Sequence, residues 1–96
     1  MKARKQFIVV AYDITKTKQR NKVSEVLEQY GKRVNLSVFE CMLTASQLRK
    51  LRTKIAGYLN PKTDKVIYYP LCIECFSKIV YDPPAKKEDH DVVSVV

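Results

Sequence analysis

The sequence predicts an α+β fold of the ferredoxin-like type, in which two helices cover one face of a largely antiparallel four-stranded sheet. The prediction rests on an almost wholly apolar segment near the start, two segments with helical spacing of apolar side chains, and extended segments between and after them. A chain of 96 residues has room for one hydrophobic core. We expect a domain over residues 1–81, and a linker with a final strand over residues 82–96.

The first two elements are a buried strand and an amphipathic helix. Residues 7–14, FIVVAYDI, are apolar apart from Asp13 and rich in β-branched and aromatic side chains, which predicts a central strand buried on both faces. Thr17 is a candidate N-cap of the following helix, and Gly31 suits the position just after its end. One face of that helix carries Val23, Val26, Leu27 and Tyr30.

The next elements are extended chain and a second helix. Apolar and polar side chains alternate over residues 33–43, which predicts two short strands or one bent strand with a break near Ser37. Thr44 and Gln47 form the T-x-x-Q pattern of a capping box, so a helix should start there and end at Asn60-Pro61. Its apolar side carries Leu48, Leu51, Ile55 and Leu59.

Strand character continues towards the end of the chain. Residues 64–71, DKVIYYPL, predict a strand, and residues 77–81 are a candidate for a short one. Residues 82–87 contain two prolines and are predicted to be a linker, because proline has no backbone N–H to donate to the hydrogen bonds of a β-sheet. Residues 92–96, VVSVV, have strong β propensity and need a cover, which a second copy of the chain would provide.

Positive charge is concentrated in the first part of the chain. The formal net charge is +8, with +9 over residues 1–60 and −1 over residues 61–96. Such a charge favours an anionic partner, most often nucleic acid, although solvated surface lysines and arginines give the same composition. The second helix contributes Arg49, Lys50, Arg52 and Lys54.

The sequence does not predict a membrane protein. No apolar run approaches the roughly 18–20 residues that a membrane span needs. The basic N-terminus leads into an apolar segment, as in a signal peptide, but Asp13 interrupts that segment and no small-residue cleavage site follows. We therefore expect a cytoplasmic protein.

Asp13 carries the strongest indication of chemistry. A carboxylate at the end of a buried strand needs a cation, a hydrogen-bond donor or water. Two interpretations stay open at this point: a cap for the following loop and helix, or a ligand of Mg²⁺. No other acid clusters with it in sequence, so binding of Mg²⁺ requires a two-fold axis that brings a second Asp13 beside the first.

The three cysteines indicate no disulfide framework. Cys72 and Cys75 form a C-x-x-C pair, but a zinc site needs two further ligands, and Cys41 and His90 are poorly placed to supply them. A redox dithiol would precede a helix in a different order of elements. The pair is therefore predicted to be a turn with half-buried thiols.

Two arginines and four tyrosines are further candidates. Arg20 in the first turn of helix one and Arg33 at the start of the next strand offer guanidinium forks for phosphate. From the residues alone, an ordinary surface arginine is the more usual interpretation of each. The tyrosines at positions 30, 58, 68 and 69 are expected to complete the core or a subunit contact rather than to stack on bases.

Several of these residues occur together in an order that resembles a known family. The segments are Y-D-I at residues 12–14, a helix bearing Arg20, Y-G-x-R-V-x-x-S-V-F-E at residues 30–40, and Y-P-L-C-x-x-C at residues 69–75. Over about residues 7–81 the chain resembles the small CRISPR-associated Cas2 proteins. The final valine-rich strand also suits that family.

The resemblance implies a role in CRISPR adaptation, the acquisition of spacers. It implies a ferredoxin-like two-fold dimer, in which the C-terminal strand of each subunit is added to the partner's sheet. In that family the aspartate after the first strand, which Asp13 matches, binds a divalent cation, usually Mg²⁺, at the dimer interface, so the resemblance implies the same role for Asp13. Metal-dependent cleavage of single-stranded RNA or double-stranded DNA is attributed to members, and a dimer bridges two dimers of the integrase Cas1 around the protospacer duplex.

Two functional interpretations follow. The first is an endonuclease with paired Asp13 residues and Mg²⁺, whose other catalytic residues are implied to be Tyr12, Arg20, Arg33 and Phe39. The alternative is a non-catalytic bridge that binds duplex DNA. The residues expected to contact nucleic acid in either case are Arg20, Lys22, Arg33, Arg49, Lys50, Arg52 and Lys54.

The chain departs from the family pattern at two positions near this site. Lys22 stands where the family has a second helix arginine, which keeps the charge but removes the bidentate fork. Asn35 stands where many members have glutamine, and we expect it to serve local packing. The sequence does not decide between RNA and DNA as the substrate.

Overall fold

The computed structural model describes residues 4–84 and shows a four-stranded antiparallel sheet with the strand order β2-β3-β1-β4. Two long helices pack on one face of this sheet and a short third helix packs on the other. The predicted α+β arrangement is therefore confirmed. In chain order the elements are β1 (Gln6–Asp13), α1 (Thr17–Glu28), β2 (Gly31–Asn35), β3 (Val38–Leu43), α2 (Ala45–Ala56), β4 (Lys65–Leu71) and α3 (Ile73–Ser77).

The apolar strand β1 is central, as predicted, with β3 on one side and β4 on the other. Side chains alternate between the two faces of a strand, so Ile8, Val10 and Tyr12 all point towards α1 and α2. They form the main core with the apolar sides of both helices. The helical residues buried there are Val23, Leu27, Leu51 and Ile55.

Helix α1 begins one residue earlier than the predicted cap implies. Its N-cap is Lys16, which makes no side-chain capping hydrogen bond, so the prediction that Thr17 caps the helix is wrong. The preceding loop is held from a distant part of the chain instead, because Asp64 Oδ1 accepts a hydrogen bond from the Thr15 N–H at 3.1 Å. The local sequence around Thr17 contains no sign of that contact.

Helix α2 begins with the predicted capping box. The Thr44 hydroxyl accepts from the Gln47 N–H at 3.1 Å, and the Gln47 side chain accepts from the Thr44 N–H at 2.9 Å. The helix ends at Ala56 rather than at Asn60-Pro61. A turn follows at residues 57–58, and Tyr58 and Leu59 pack half-buried against the core.

Of the two alternatives predicted for residues 33–43, the structure shows two short strands: β2 and β3 form a hairpin with its turn at residues 36–37. Gly31 is not part of a helix cap, since the helix ends at Glu28 with Gln29 as its C-cap, and no glycine in residues 4–84 has positive φ. Gly31 pairs with Cys41 across the hairpin, and a Cβ there would collide with the Glu40 carbonyl oxygen. Glycine is required at this position by close approach of two strands, not by backbone conformation.

The face of the sheet opposite α1 and α2 is only partly covered. Phe7 is buried under Phe76 of α3, with ring centroids 4.7 Å apart. Val9 and Ala11, which share this face of β1, are half-buried, so the prediction that β1 is buried on both faces holds along part of its length. Their partners on β4 are Tyr69 and Ile67, which are 49% and 45% exposed.

The segment after β4 is helical rather than extended. Residues 77–81 do not form the candidate strand, because the Lys78 and Ile79 N–H groups bond to the carbonyls of Cys75 and Phe76 in the last turn of α3. Glu40, buried on the partly covered face at 6% exposure, then accepts hydrogen bonds from the Tyr81 hydroxyl at 3.0 Å to each oxygen. Burial and this carboxylate raise the pKa of Tyr81 to about 12.

The remaining C-terminal predictions lie outside the described residues. They are the end of the linker over residues 82–87, the acidic tail with His90, and the strand of residues 92–96. Within residues 4–84, no helix is both long and apolar enough to span a bilayer.

Replacing Gly31 with alanine is expected to destabilise the fold by about 1–3 kcal/mol, because the new methyl group has to displace backbone atoms of β3. Thermal or urea unfolding followed by circular dichroism measures the loss.

The matched control is Gly57→Ala. A Cβ at Gly57 would lie 3.5 Å from the Lys54 carbonyl oxygen, which is ordinary contact, and its φ of −65° suits alanine. We expect this variant to unfold no earlier than the wild type. Equal destabilisation by the two substitutions would contradict the argument from close approach.

Candidate nucleic-acid and metal site

Asp13 is the last residue of β1 and its side chain is exposed. It lies opposite Lys65 of β4 and, by alternation, on the same face as Phe7, Val9 and Ala11. This is the face that α1 and α2 leave uncovered. The carboxylate does not cap α1, which begins without a side-chain cap.

The loop between β1 and α1 is held by Asp64, and not by Asp13 as one of the two interpretations of Asp13 predicted. Besides the Thr15 N–H, its carboxylate accepts from the Asn60 N–H at 2.9 Å and from the Thr63 hydroxyl at 3.1 Å. The backbone bonds from Asn60 and Thr15 hold the pKa of Asp64 below its usual range. Sequence reasoning missed this residue, because its partners lie on two loops that are far apart in the chain.

Arg20 braces the same β1–α1 loop from the other direction. Its Nε donates to the Ile14 carbonyl at 3.2 Å and its Nη2 to the Thr15 carbonyl at 3.3 Å. These carbonyls follow Asp13 directly in the chain. The Arg20 fork therefore orients the backbone next to Asp13, although the side chain stays exposed.

Arg33, Tyr12 and Phe39 come together on the helix-covered side, around the β2–β3 turn. Arg33 donates from Nη1 to the Leu36 carbonyl at 2.7 Å and from Nη2 to the Ser24 hydroxyl of α1. The Tyr12 hydroxyl donates to the same Leu36 carbonyl at 3.2 Å. The Arg33 guanidinium lies 5.1 Å from the centroid of the Phe39 ring, which stacks near Tyr12 at 6.3 Å.

This cluster fixes the turn that lies beside the end of β1. Tyr12 and Phe39 are buried, and the Tyr12 N–H donates to the Ser37 carbonyl at 3.0 Å. Asn35 acts locally, because its side-chain oxygen accepts from the Leu36 N–H at 2.7 Å. The structure thus brings Tyr12, Arg33 and Phe39 together on the helix-covered side of the sheet, with the polar groups of Tyr12 and Arg33 directed at protein acceptors.

The other basic candidates are exposed. Two of the basic side chains of α2 extend in opposite directions. The Arg52 guanidinium is 5.8 Å from the centroid of the Tyr68 ring of β4, and Lys54 Nζ is 5.1 Å from the centroid of the Tyr30 ring, next to the end of α1. No acidic residue occurs between Glu40 and Asp64 in the sequence. A groove of about 500 Å³ between α2 and β4 is lined by Arg49 and Arg52. Lys22 of α1 is likewise exposed.

Three of the four tyrosines pack as predicted. Tyr30, Tyr58 and Tyr68 are half-buried against the main core, whereas Tyr69 lies on the partly covered face. The prediction of half-buried thiols is wrong, because Cys72 and Cys75 are both exposed at the start of α3. Cys41 is buried, and burial together with Glu40 raises the pKa of its thiol to about 12.

A divalent cation would find one candidate carboxylate per chain at this site. Within residues 4–84, no three His, Cys, Asp or Glu side chains lie close enough together to hold a metal ion. Mg²⁺ is commonly held by one or two carboxylates plus waters and phosphate oxygens. The exposed Asp13 fits that requirement when a second copy of the chain supplies another carboxylate.

The sequence and fold are similar to those of known proteins. The family model of the CRISPR associated protein Cas2 matches residues 6–79. A CRISPR-associated endoribonuclease Cas2 of Synechocystis sp. is 33% identical over 87 residues, which cover 88% of this chain and 95% of that protein. A CRISPR-associated endoribonuclease Cas2 of Rhodospirillum rubrum is 37% identical over 67 residues, 70% of this chain, but the match spans about half, 54%, of that longer relative.

Solved structures agree with these matches. Streptococcus pyogenes Cas2 superimposes with a TM-score of 0.72 at 25% identity, covering 78% of this chain and 96% of that one. A chain of a partial Cas6-RT-Cas1–Cas2 complex gives a TM-score of 0.72 at 26% identity, covering 83% of this chain and 88% of that one. From the family match over most of its length, and from the fold it shares with these structures, this chain belongs to the Cas2 family of CRISPR-associated proteins.

Proposed function

We propose that the chain acts in CRISPR adaptation as a homodimer that cleaves a nucleic-acid phosphodiester with Mg²⁺, through two Asp13 side chains brought together at the dimer interface. The observation that carries the proposal is the position of Asp13 at the end of the central strand, exposed, on the sheet face that α1 and α2 leave uncovered. The nuclease names of the relatives support the reaction class.

The partly covered face has the character of a subunit contact. Val9, Ala11, Ile67 and Tyr69 form adjoining cross-strand pairs with substantial exposure. Burying such a patch against a second copy removes apolar surface from water. Because Asp13 continues the same face, a two-fold contact there brings the two carboxylates towards each other.

Asp13 supplies the chemistry of this site as an oxygen ligand. A bound Mg²⁺ polarises a phosphodiester and lowers the pKa of water. Each Asp13 carboxylate would bind and orient the cation from its own chain. Without a cation, two neighbouring carboxylates repel each other, so the paired site also favours divalent metal electrostatically.

Arg20, Arg33, Tyr12 and Phe39 support this function as positioning residues. Arg20 holds the carbonyls that follow Asp13, and Arg33 and Tyr12 share the Leu36 carbonyl in the adjacent turn. Precise ligand placement depends on such surrounding contacts. In this proposal they keep the end of β1 rigid.

A second candidate function is an architectural bridge for duplex DNA. The outer side of α2, with Arg49, Lys50, Arg52 and Lys54 and no acid in the helix, favours it. Such a surface neutralises phosphates without reading bases. The similarity to a chain in a Cas1–Cas2 complex supports Cas1 as the protein partner, with the basic helices following the duplex.

Asp13→Asn distinguishes the two functions. We expect Mg²⁺-dependent cleavage to fall by about 100-fold or more, because a neutral amide replaces the carboxylate that would bind Mg²⁺, and Mg²⁺ stabilises the charge that develops in the reaction. Duplex binding should change little. Wild type and variant are compared on single-stranded RNA and duplex DNA, with Mg²⁺ and with EDTA, and binding is measured on the same preparations.

Two outcomes of that assay decide between the candidates. Undiminished cleavage by Asp13→Asn would place the active site elsewhere. Duplex binding by a wild type that cleaves neither substrate would favour the architectural bridge.

The basic side of α2 should dominate the salt dependence of duplex binding. For Arg49→Gln/Arg52→Gln, the plot of log affinity against log salt should become shallower by roughly 2, since two phosphate contacts are lost. Lys78→Gln is the matched control, because Lys78 is exposed and pairs with Glu74 at 3.4 Å on α3. Equal slopes for the double variant and the wild type would exclude α2 from the interface.

The proposed dimer contact is tested with charge on the partly covered face. Ile67→Lys should convert the dimer to a monomer in light scattering while keeping its circular dichroism spectrum, because the ammonium group would be buried in the contact. Leu36→Lys is the control, since Leu36 is 83% exposed at the tip of the β2–β3 turn.

Deletion of residues 92–96 tests the C-terminal strand separately. If that strand joins the partner's sheet, the truncated chain should dimerise more weakly. An unchanged dimer in both Ile67→Lys and the truncated chain would overturn the proposed arrangement.

A further inference from the structure

Cys72 and Cys75 form a close pair of exposed thiols that the proposed function does not use. Cys72 is the N-cap of α3, and its Sγ accepts a hydrogen bond from the Cys75 N–H at 3.3 Å. A redox dithiol of the thioredoxin type is expected at the start of a helix. Here Cys72 directly precedes α3 and Cys75 lies within it, although the order of the elements differs from that of thioredoxin.

The two thiols are electronically unequal. The pKa of the Cys72 thiol is lowered, chiefly by the backbone N–H of Cys75 and then by the Cys75 side chain. The pKa of Cys75 is raised, chiefly by its hydrogen bond to Cys72 and then by repulsion between the two sulfur charges. Of the two exposed thiols, Cys72 is therefore the one whose thiolate form is favoured.

The chain on both sides of the pair is anchored to the same residue. Leu71, directly before Cys72, pairs with Phe7 in the sheet, and Phe76, directly after Cys75, packs on the Phe7 ring. The four residues between these anchors are therefore confined to a short connection. This holds the two sulfur atoms near each other in the folded protein.

We propose that Cys72 and Cys75 form a redox-active dithiol that undergoes thiol–disulfide exchange with low-molecular-weight disulfides such as glutathione disulfide. The Cys72 thiolate attacks one sulfur of glutathione disulfide, that S–S bond breaks, and one glutathione thiolate leaves. The Cys75 thiol then loses its proton to solvent and attacks Cys72 Sγ, which expels the second glutathione thiolate. Two thiols are oxidised to one intramolecular disulfide, and one glutathione disulfide is reduced to two glutathiones.

Cys41 provides an internal contrast. It is fully buried between α1, α2 and the sheet, and its thiol pKa of about 12 keeps it protonated at neutral pH. A reaction at Cys72 and Cys75 that spares Cys41 therefore reports the folded structure rather than general cysteine chemistry.

Intact-mass spectrometry of the reduced, folded chain after treatment with glutathione disulfide tests the proposal. The wild type and Cys41→Ser should each lose two hydrogens and retain no glutathione. Cys75→Ser should accumulate one glutathione on Cys72, because no second thiol resolves the adduct. Cys72→Ser should react roughly tenfold more slowly, because the remaining thiol of Cys75 does not receive the Cys75 N–H bond that stabilises the Cys72 thiolate.

Several results would overturn the proposal. They are glutathione retained on the wild type, a disulfide between two chains, equal rates for Cys72→Ser and Cys75→Ser, and oxidation that occurs only in denaturant. The test does not depend on nuclease activity or on nucleic-acid binding. Failure of the nuclease proposal therefore leaves it unaffected.

Discussion

The alternation of side chains along β1 is the constraint on which the rest of the structure depends. Ile8, Val10 and Tyr12 point into the core beneath α1 and α2, so the intervening residues must point to the opposite face. That second face carries Phe7, Val9 and Ala11 and ends at Asp13. One strand therefore supplies both the hydrophobic core of the chain and the surface at whose edge the candidate metal ligand lies.

The arginines nearest Asp13 show how a functional motif can be structural at the atomic level. A guanidinium group offers several donors in a fixed plane, which suits a phosphate but equally suits two backbone carbonyls. Arg20 uses its fork on the carbonyls of Ile14 and Thr15, and Arg33 joins the Leu36 carbonyl to the Ser24 hydroxyl of α1. Both loops beside the end of β1 are thereby held by side chains from neighbouring elements.

Charge and hydrophobic surface are separated in space. The positive side chains are carried by α2, which packs on one face of the sheet. The partly covered apolar patch lies on the opposite face. In the architectural alternative, the duplex and the partner chain therefore bind to different surfaces. The exposed dithiol at α3 lies at the border of the apolar patch, next to Phe76.

The sequence by itself determined the elements whose signals are local. The apolar run of β1, the capping box of Thr44 and Gln47, and the alternation around Ser37 each depend on neighbouring residues, and each is confirmed. The motif from Tyr12 to Cys75 also identified the family, and it selected Asp13 as the candidate ligand. These features follow from backbone periodicity and residue order alone.

Tertiary structure decided what depends on contacts between distant segments. Asp64 bonds to the Thr15 N–H across the fold, and Gly31 is required because β3 passes too close for a side chain. After Gly57, Tyr58 packs half-buried against the core. The two thiols of the C-x-x-C pair are exposed, and they are unequal because the Cys75 N–H donates to Cys72 Sγ at the start of α3. Hydrogen bonds and packing between residues far apart in sequence leave no local pattern, so only the folded chain reveals them.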